Sequence, residues 1–221
     1  MKIQNIQIKT PFVLAPMAAV NCTSYRLLCK KHGCGLIYTQ MINSNLHYNK
    51  TKEEIKKFLN IREEERPVSV QISGADKDKI LKTAKLVEEF ADIIDFNSGC
   101  ILPEVLARGE GAALLKEQDK LLEIVKSLVG VVKKPVSVKI RIGWDDQSIC
   151  GVRLAKQLKE CGISALAVHG RTAQQKYGGK SNWLIQKQIK EAVKELPVIF
   201  NGDVDSYEKG LEMLEKSGCD G

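Results

Sequence analysis

Short apolar runs alternate along the chain with segments in which apolar residues recur every three or four positions. The short runs predict buried strands, and the segments with the longer period predict helices. Repeated units of this kind indicate a parallel sheet that is covered by helices. The predicted strands are 12–17, 36–41, 68–72, 93–97, 136–140, 165–169 and 198–201; the predicted helices are 23–31, 77–90, 119–133, 148–161, 183–195 and 205–217, with a helix and loop in 51–66.

An internal repeat separates the possible folds. Pro67–Ile72 and Pro135–Ile140 are the same hexapeptide except for one residue, and the segments that begin at Pro11 and Pro197 follow the same outline. In a TIM (β/α)8 barrel, alternate strands supply one layer of interior side chains, so a repeat on the odd-numbered strands favours a barrel over a doubly wound sheet. The predicted layer consists of the residues four positions after each proline, which are Ala15, Gln71, Lys139 and Asn201.

Most of this layer is polar, whereas a layer that only packs would carry branched apolar side chains. One interpretation is that the polar residues are satisfied groups at strand ends. The interpretation that we favour is a ligand that lies across the top of the barrel.

The predicted barrel is one strand short. Seven strands can be counted, and the sequence ends at Cys219-Asp220-Gly221, where an eighth strand would begin. Closure needs that strand, because the first and seventh strands otherwise keep unpaired edges. We therefore expect a single domain, residues 1–221, that forms a barrel incomplete at its C-terminal end.

Composition and charge narrow the class of protein. Of the residues, 43% are hydrophobic and 28% are charged, which is ordinary for a soluble globular protein. No apolar run approaches the ~20 residues of a membrane span, and the N-terminus lacks the apolar core of a signal peptide. We therefore expect a cytoplasmic protein that is not associated with a membrane. The net charge of +7 favours a polyanionic partner without establishing one.

Seven cysteines without a Cys-x-x-Cys pair fit neither a disulfide framework nor a zinc site, and we expect no metal. Cys100 differs from the other six because it comes just after the fourth strand, beside Gly99 and ahead of the glycine-rich stretch 108–113. A cysteine on such a loop at the barrel mouth is placed to transfer a proton or to attack a substrate. The other cysteines lie mainly in helices or connections, where burial is the ordinary role.

Basic residues at other strand ends suggest contacts to an anion. Lys139 and Arg141 share one face of the fifth strand, and His169 ends the sixth strand two residues before Arg171. Either charge on the fifth strand could balance an anionic ring or a phosphate. Asn201-Gly202-Asp203 ends the seventh strand with a turn that lets backbone N–H groups approach a ligand. Neither a GxGxxG motif nor a P-loop is present, which weighs against a Rossmann or kinase fold.

Taken in order, the motifs resemble those of the tRNA-dihydrouridine synthases from about residue 11 onward. Single motifs such as Asn-Gly-Asp are weak, but the ordered set is specific. The matching segments are Ala15–Ala18, Tyr25–Cys29, Val70–Gly74, Asn97–Cys100, Gly111–Leu115, Val138–Trp144, His169–Thr172 and Asn201–Asp203.

The resemblance implies an FMN-bound barrel that reduces the C5–C6 bond of a uridine in tRNA, with NADPH or NADH as the electron source. Reduced flavin would deliver hydride to C6 of uracil, and Cys100 would donate the proton to C5. The cofactor would be bound by Pro16, Met17 and Ala18 at its ring, by Gln71 and Lys139 at its polar edge, and by His169, Asn201, Gly202 and Asp203 at its ribityl-phosphate end. Asn97 and Arg141 would contact uracil, and Arg171 would contact a phosphate of the tRNA or the flavin.

Two departures from the family pattern are visible. The cysteine is usually followed by proline in the family, whereas Ile101 follows it here and the proline comes at Pro103. The family also continues with an eighth strand and a helical domain that grips tRNA, and neither is in this sequence. Two alternatives therefore stay open: a small-molecule FMN oxidoreductase on the same barrel, and a non-catalytic, truncated homologue that binds tRNA. The oligomeric state and the uridine positions are also open.

Overall fold

The structure is a computed structural model that describes residues 1–221. Strands and helices alternate along it as the sequence pattern predicts. The strands are β1 (Lys2–Ile3), β2 (Ile6–Gln7), β3 (Val13–Leu14), β4 (Leu36–Tyr38), β5 (Ile42–Asn43), β6 (Val68–Ser73), β7 (Ile93–Ser98), β8 (Val136–Arg141), β9 (Ala165–His169) and β10 (Val198–Asn201). The helices are α1 (Thr23–Lys31), α2 (Ser44–His47), α3 (Lys52–Leu59), α4 (Lys77–Val87), α5 (Pro103–Ala107), α6 (Gln118–Val131), α7 (Gly151–Glu160), α8 (Trp183–Val193) and α9 (Tyr207–Ser217), with 3₁₀ turns at Glu63–Glu65 and Gly111–Lys116.

The seven predicted strands are all present and form one parallel sheet that curls into a half-barrel. The strand order across the sheet is β3-β4-β6-β7-β8-β9-β10, and the short β5 continues the line of β4 along the far end of β6. Strand order follows chain order because each connection carries a helix to the outside of the sheet. The predicted α/β barrel class is confirmed.

The first two strands are shorter than predicted, and one side chain gives the reason. The amide nitrogen of Asn21 donates to the carbonyl oxygens of Ala15 and Tyr38, at 2.8 Å in each case. These carbonyls therefore bond to a side chain instead of a neighbouring strand, and β3 ends at Leu14. The strands from β6 onward match their predictions within one residue, and α1 matches residue for residue.

Alternation along the strands separates a polar bore from an apolar outer layer. In β6, Val70 and Ile72 belong to the main core between sheet and helices, while Ser69 and Gln71 face the bore. The repeated hexapeptide explains this arrangement, since side chains alternate across a strand with a period of two. The fold therefore places its polar residues inside the barrel and its largest apolar cluster outside it.

The N-terminal hairpin, β1 paired with β2, closes the lower end of the bore. Ile3 and Ile8 are fully buried against Leu36, Ile93 and Ala165, which are the first residues of three strands. The sequence pattern did not predict this hairpin, because two-residue strands carry no visible alternation.

The last residues of the chain lie between the two edge strands of the sheet. The backbone N–H of Asp220 donates to the Val198 carbonyl at 2.8 Å, and the Phe200 N–H donates to the Gly221 carbonyl at 2.9 Å. On the other side, a Cβ at Gly221 would lie only 2.8 Å from the Pro11 carbonyl oxygen. The segment thus begins to pair where an eighth strand was expected. Separately, no helix in the structure combines the length and the apolar character that crossing a membrane requires.

Candidate active site

Five polar side chains from neighbouring strands meet at the carboxyl ends of the sheet, and we call them the polar ring. They pair across the sheet: Lys139 is in register with Ala167 and lies beside Asn97, and Asn201 is in register with His169. The Lys139 ammonium donates to Asn201 Oδ1 at 2.9 Å. Three of the four residues of the predicted layer therefore lie here, without Ala15, and they are joined by Asn97 of β7 and His169 of β9. The polar ring consists of Gln71, Asn97, Lys139, His169 and Asn201.

A buried carboxylate, Asp95, lies beside Gln71 of the polar ring, with which it is in register across the sheet. Asp95 is fully buried and accepts hydrogen bonds of 2.6 Å from Gln71 Nε2 and from the Ser137 hydroxyl. Burial raises the pKa of Asp95 to about 6. The carbonyl oxygen of Gln71 in turn accepts from Asn97 Nδ2 at 2.8 Å. Sequence reasoning did not single out Asp95; the available signal was a carboxylate that alternates with apolar residues inside a predicted strand.

The Asn97 side chain holds the backbone turn that carries Cys100. Asn97 Oδ1 accepts from the backbone N–H of Gly99 at 3.1 Å and from that of Cys100 at 2.9 Å. Asn97 was predicted to contact uracil, yet its carbonyl oxygen and one of its amide hydrogens are used within the protein. Its contact to a substrate stays a prediction.

A second segment supports Cys100 from the glycine-rich loop. The Ala112 N–H donates to the Cys100 carbonyl at 2.9 Å. Gly111 has φ +60°, and a Cβ there would lie 2.7 Å from the Cys100 carbonyl oxygen, so this close approach requires glycine. Burial raises the pKa of the Cys100 thiol, which keeps it protonated at neutral pH. The arrangement presents a half-buried thiol, not a thiolate, at the mouth.

Glu110 anchors this loop to the segment after β5. Its carboxylate is fully buried and accepts hydrogen bonds of 2.6 Å from Asn43 Nδ2 and Asn45 Nδ2, and one of 3.1 Å from Arg108 Nε. A buried charge with several N–H donors is stable only when all of them stay in place. Sequence reasoning also missed Glu110, because its amide partners lie more than sixty residues away in the chain.

Basic side chains crowd the other half of the mouth. Burial and then the neighbouring Arg141 lower the pKa of Lys139 to about 8. Burial lowers the pKa of His169 to about 3, and the charges of Lys139, Arg141 and Arg171 add to the shift. The imidazole is therefore neutral at physiological pH, because burial and the neighbouring positive charges disfavour its protonation.

Arg141 connects the Cys100 turn to the loop after β9. Its guanidinium donates to the Gly99 carbonyl at 3.0 Å, to the Thr172 carbonyl at 3.0 Å and to the Lys176 carbonyl at 2.8 Å. The buried Arg141 thus determines the shape of the mouth, and its predicted contact to uracil stays a prediction.

Arg171 and Asp203 form an ion pair at the ends of β9 and β10. The Arg171 guanidinium lies 2.5 Å from Asp203 Oδ1 and donates to the carbonyls of Gly178 and Gly179. Asp203 also accepts from the Ser181 N–H at 2.6 Å. Burial would raise the pKa of Asp203, but the bonds from Ser181 and Arg171 outweigh it and lower that pKa. A carboxylate repels a phosphate, so Asp203 is suited to hold Arg171 in place and not to bind a phosphate itself.

The other predicted cofactor contacts occupy the connections at the same mouth. Pro16 and Met17 are half-buried and Ala18 is exposed, in a turn closed by the bond from the Asn21 N–H to the Met17 carbonyl at 3.2 Å. Gly202 has φ +119°, and a Cβ there would lie 2.6 Å from the Ser181 hydroxyl, so the backbone packs closely at this turn. Their predicted roles in cofactor binding stay predictions.

The residues of the mouth fit the flavin that the resemblance implies. Three charged basic side chains, Lys139, Arg141 and Arg171, share the mouth with the neutral His169 and exceed the two nearby carboxylates, Asp203 and Asp95. Lys139 uses one of its three N–H donors on Asn201, which leaves donors for the carbonyls of a heteroaromatic ring. The excess of cations suits a phosphate or an anionic ring.

Comparison with known proteins identifies relatives over the whole chain. The family model for dihydrouridine synthase (Dus) matches residues 13–221. A probable tRNA-dihydrouridine synthase of Rickettsia prowazekii is 38% identical over all of this chain and 67% of its own length. The tRNA-dihydrouridine synthase B of Vibrio vulnificus is 40% identical over all of this chain and 68% of its own. The chain thus spans about two thirds of the length of these relatives, and the resemblance drawn from the motifs is confirmed.

Solved structures support the barrel fold at much lower sequence identity. A variant of NCR from Zymomonas mobilis superposes with a TM-score of 0.73 and 13% identity, over all of this chain and 83% of that chain. A mandelate oxidase, solved with (S)-4-hydroxymandelic acid, superposes with a TM-score of 0.63 and 15% identity, over 95% of this chain and 65% of that chain. At these identities the likeness concerns the fold alone.

Proposed function

This chain belongs to the dihydrouridine synthase family of flavin-dependent oxidoreductases, and we propose that it reduces uridine in tRNA to 5,6-dihydrouridine with bound FMN and NADPH or NADH as the electron source. The observation that carries this proposal is the Cys100 thiol, held at the mouth of the bore beside the polar ring and the basic side chains. A protonated acid beside a cationic ligand site is the pairing that reduction of a uracil C5–C6 bond requires.

Cys100 has the properties of the acid in this reaction. The raised pKa keeps the proton on sulfur until a substrate arrives, and two backbone supports fix the position of the residue. On this proposal the thiol gives its proton to C5 of the uracil ring, and solvent later restores it. General acids in such positions contribute ~10²–10⁴-fold to the rate.

The basic half of the mouth would hold the cofactor. Bound FMN would supply the hydride for C6 of uracil. Gln71 and Lys139 would bond the polar edge of the ring, and the lysine charge would stabilise its reduced, anionic form. His169 and the turn Asn201–Asp203 would lie at the ribityl-phosphate end, where Asp203 keeps Arg171 directed toward a phosphate. Pro16, Met17 and Ala18 would approach the ring through their backbone.

tRNA is the proposed macromolecular partner. A target uridine has to leave its stack before it can reach Cys100 inside the mouth. Asn97 and Arg141 are the proposed contacts to the uracil base. The net charge of +7 would support salt-dependent binding to the tRNA backbone.

The test combines cofactor identification with a tRNA assay. The visible absorption spectrum of the purified protein, with the extracted cofactor identified by mass, should show FMN. Unmodified tRNA incubated with this protein and NADPH, or NADH, should gain dihydrouridine. Reduction of a free pyrimidine but not of tRNA would replace the proposal with a small-molecule reductase. A colourless protein that FMN cannot reconstitute, but that binds tRNA, would replace it with a non-catalytic binding protein.

A further inference from the structure

The buried Asp95 carboxylate begins a hydrogen-bonded chain that ends at the backbone of Cys100, and we infer that Asp95 is a positioning residue that sets the direction of this chain. The links run from Asp95 Oδ2 to Gln71 Nε2 at 2.6 Å, from Gln71 Oε1 to Asn97 Nδ2 at 2.8 Å, and from Asn97 Oδ1 to the Cys100 N–H at 2.9 Å. The inference rests on the proposed function only in that Cys100 is taken as the proton donor.

Direction matters because each amide in the chain can be turned over. A half-turn of the terminal group exchanges the oxygen and the nitrogen of Gln71 or of Asn97 with almost no change in shape. If both amides turned, Asn97 would present its NH₂ group to the Cys100 N–H, and two donors would face each other. The turn that carries the thiol would then lose its support.

An ionised carboxylate removes this ambiguity because it only accepts hydrogen bonds. Gln71 must direct its NH₂ group at Asp95, so its oxygen faces Asn97. Asn97 must then direct its NH₂ group at Gln71, and its oxygen faces Cys100. The Ser137 hydroxyl donates to the second carboxylate oxygen at 2.6 Å, so this side of the chain is also fixed.

The cost of burying Asp95 supports a functional reason for its presence. The side chain is fully buried inside the bore, where an ionised group loses its hydration. It has no ion-pair partner within salt-bridge distance, and its acceptor bonds come from one amide and one hydroxyl. A packing role would be served by an apolar side chain of the same size. The sense of the hydrogen bonds gives a reason for an acceptor at this position, and the charge of Asp95 also acts on the neighbouring Lys139.

Two substitutions at Asp95 separate orientation from charge. In Asp95→Asn the new NH₂ group can donate to the Ser137 hydroxyl, which also accepts, so the side-chain oxygen stays available to Gln71. The backbone N–H groups of Gly99 and Cys100 favour this sense from the other end of the chain. Asp95→Leu keeps the number and branching of the side-chain heavy atoms and removes the acceptor. We expect the kcat of Asp95→Asn to stay within about fivefold of the native value, because a change in one neutral hydrogen bond has an effect of about this size. We expect Asp95→Leu to lose about 10- to 100-fold in kcat through misplacement of the thiol, with little change in the KM for tRNA.

A second readout does not depend on uridine reduction. Alkylation of Cys100 by iodoacetamide, followed on its own peptide by mass spectrometry, reports how the turn holds the thiol. The rate should rise several-fold in Asp95→Leu and stay at the native value in Asp95→Asn, while the exposed Cys22 reacts equally in all proteins. If the native protein does not reduce tRNA, the proposed function fails, and the alkylation rates still test the role of Asp95.

Ser69→Ala is the matched control. Ser69 lies two residues before Gln71 on the same interior face, is fully buried, and its hydroxyl takes no part in the chain from Asp95 to Cys100. It should leave kcat and Cys100 alkylation unchanged. Equal losses in Asp95→Asn and Asp95→Leu would show that charge, not orientation, is the role of Asp95. Native behaviour of Asp95→Leu in both readouts would show that the chain needs no fixed direction. Either result overturns the inference.

Discussion

The two sides of the mouth differ in the charge and the hydrogen bonding of their side chains. On the side formed by β6 and β7, which we call the carboxylate side, the amides of Gln71 and Asn97 have partners in a chain from Asp95 to Cys100. On the side formed by β8, β9 and β10, the cationic side, buried basic groups exceed carboxylates, and the pKa values of Lys139 and His169 lie at about 8 and about 3. On the carboxylate side, carboxylate and amide groups of the protein hold the Cys100 turn, whereas on the cationic side the positive charges favour a bound anion.

This difference indicates how a site can be rigid and receptive at once. Hydrogen bonds within the protein hold the turn that carries the Cys100 thiol, and they require nothing from a ligand. Neighbouring positive charges repel one another, and a bound anion reduces this repulsion. The reduction contributes to the free energy of anion binding. Substitutions on the carboxylate side should therefore alter turnover, and those on the cationic side should alter affinity.

The largest expected effect is on turnover. Cys100→Ala should retain FMN, as judged by its absorption spectrum, and lose about 10²- to 10⁴-fold in uridine reduction, because the acid is gone. Cys22→Ala, at an exposed cysteine, should leave both quantities unchanged. Unchanged turnover in Cys100→Ala would refute the proton-donor role.

A smaller effect is expected on affinity. Lys139→Met keeps the length of the side chain and removes its charge, so we expect FMN to bind about 10- to 100-fold more weakly, the range for one charged hydrogen bond. Fluorescence titration of the protein with FMN measures this change. Lys156→Met, on the exposed face of α7, removes a charge of the same sign away from the mouth and should leave the affinity unchanged. Equal losses in both variants would attribute the effect to net charge.

The smallest effect concerns pH. Lys139 is charged below its pKa of about 8 and neutral above it, and an anion binds the charged form better. The affinity for FMN should therefore be full below pH 8 and should weaken as the pH rises through that value. His169 stays neutral throughout this range because its pKa is about 3. The same titration on Lys139→Met should show no such step; a step that persists there would assign the pH dependence to another group.

The sequence was sufficient for the parts of the site that depend on local pattern. The repeated strands predicted the alternation that directs Gln71 and Lys139 into the bore, and the position of Cys100 after a strand predicted its place at the mouth. These features follow from the period of a strand and from the edge where parallel strands end.

The features that were missed depend on partners that are distant in sequence. Asp95 bonds to residues 24 and 42 positions away, and Glu110 bonds to Asn43 across 67 positions. Nothing near either residue indicates those partners. Likewise, the backbone bonds of Arg141 became visible only in the fold, since a carbonyl acceptor has no sequence signature.

The hairpin that closes the lower end of the bore has a kinetic consequence. Ile3 and Ile8 pack against the first residues of the strands, so under the proposed function a nicotinamide donor and a tRNA would both arrive at the mouth. Two large partners that need one opening must use it in alternation. For a reductase of this kind, the floor of the barrel therefore favours double-displacement kinetics, in which the oxidised donor departs before the RNA enters, and initial-rate plots against either partner should be parallel lines.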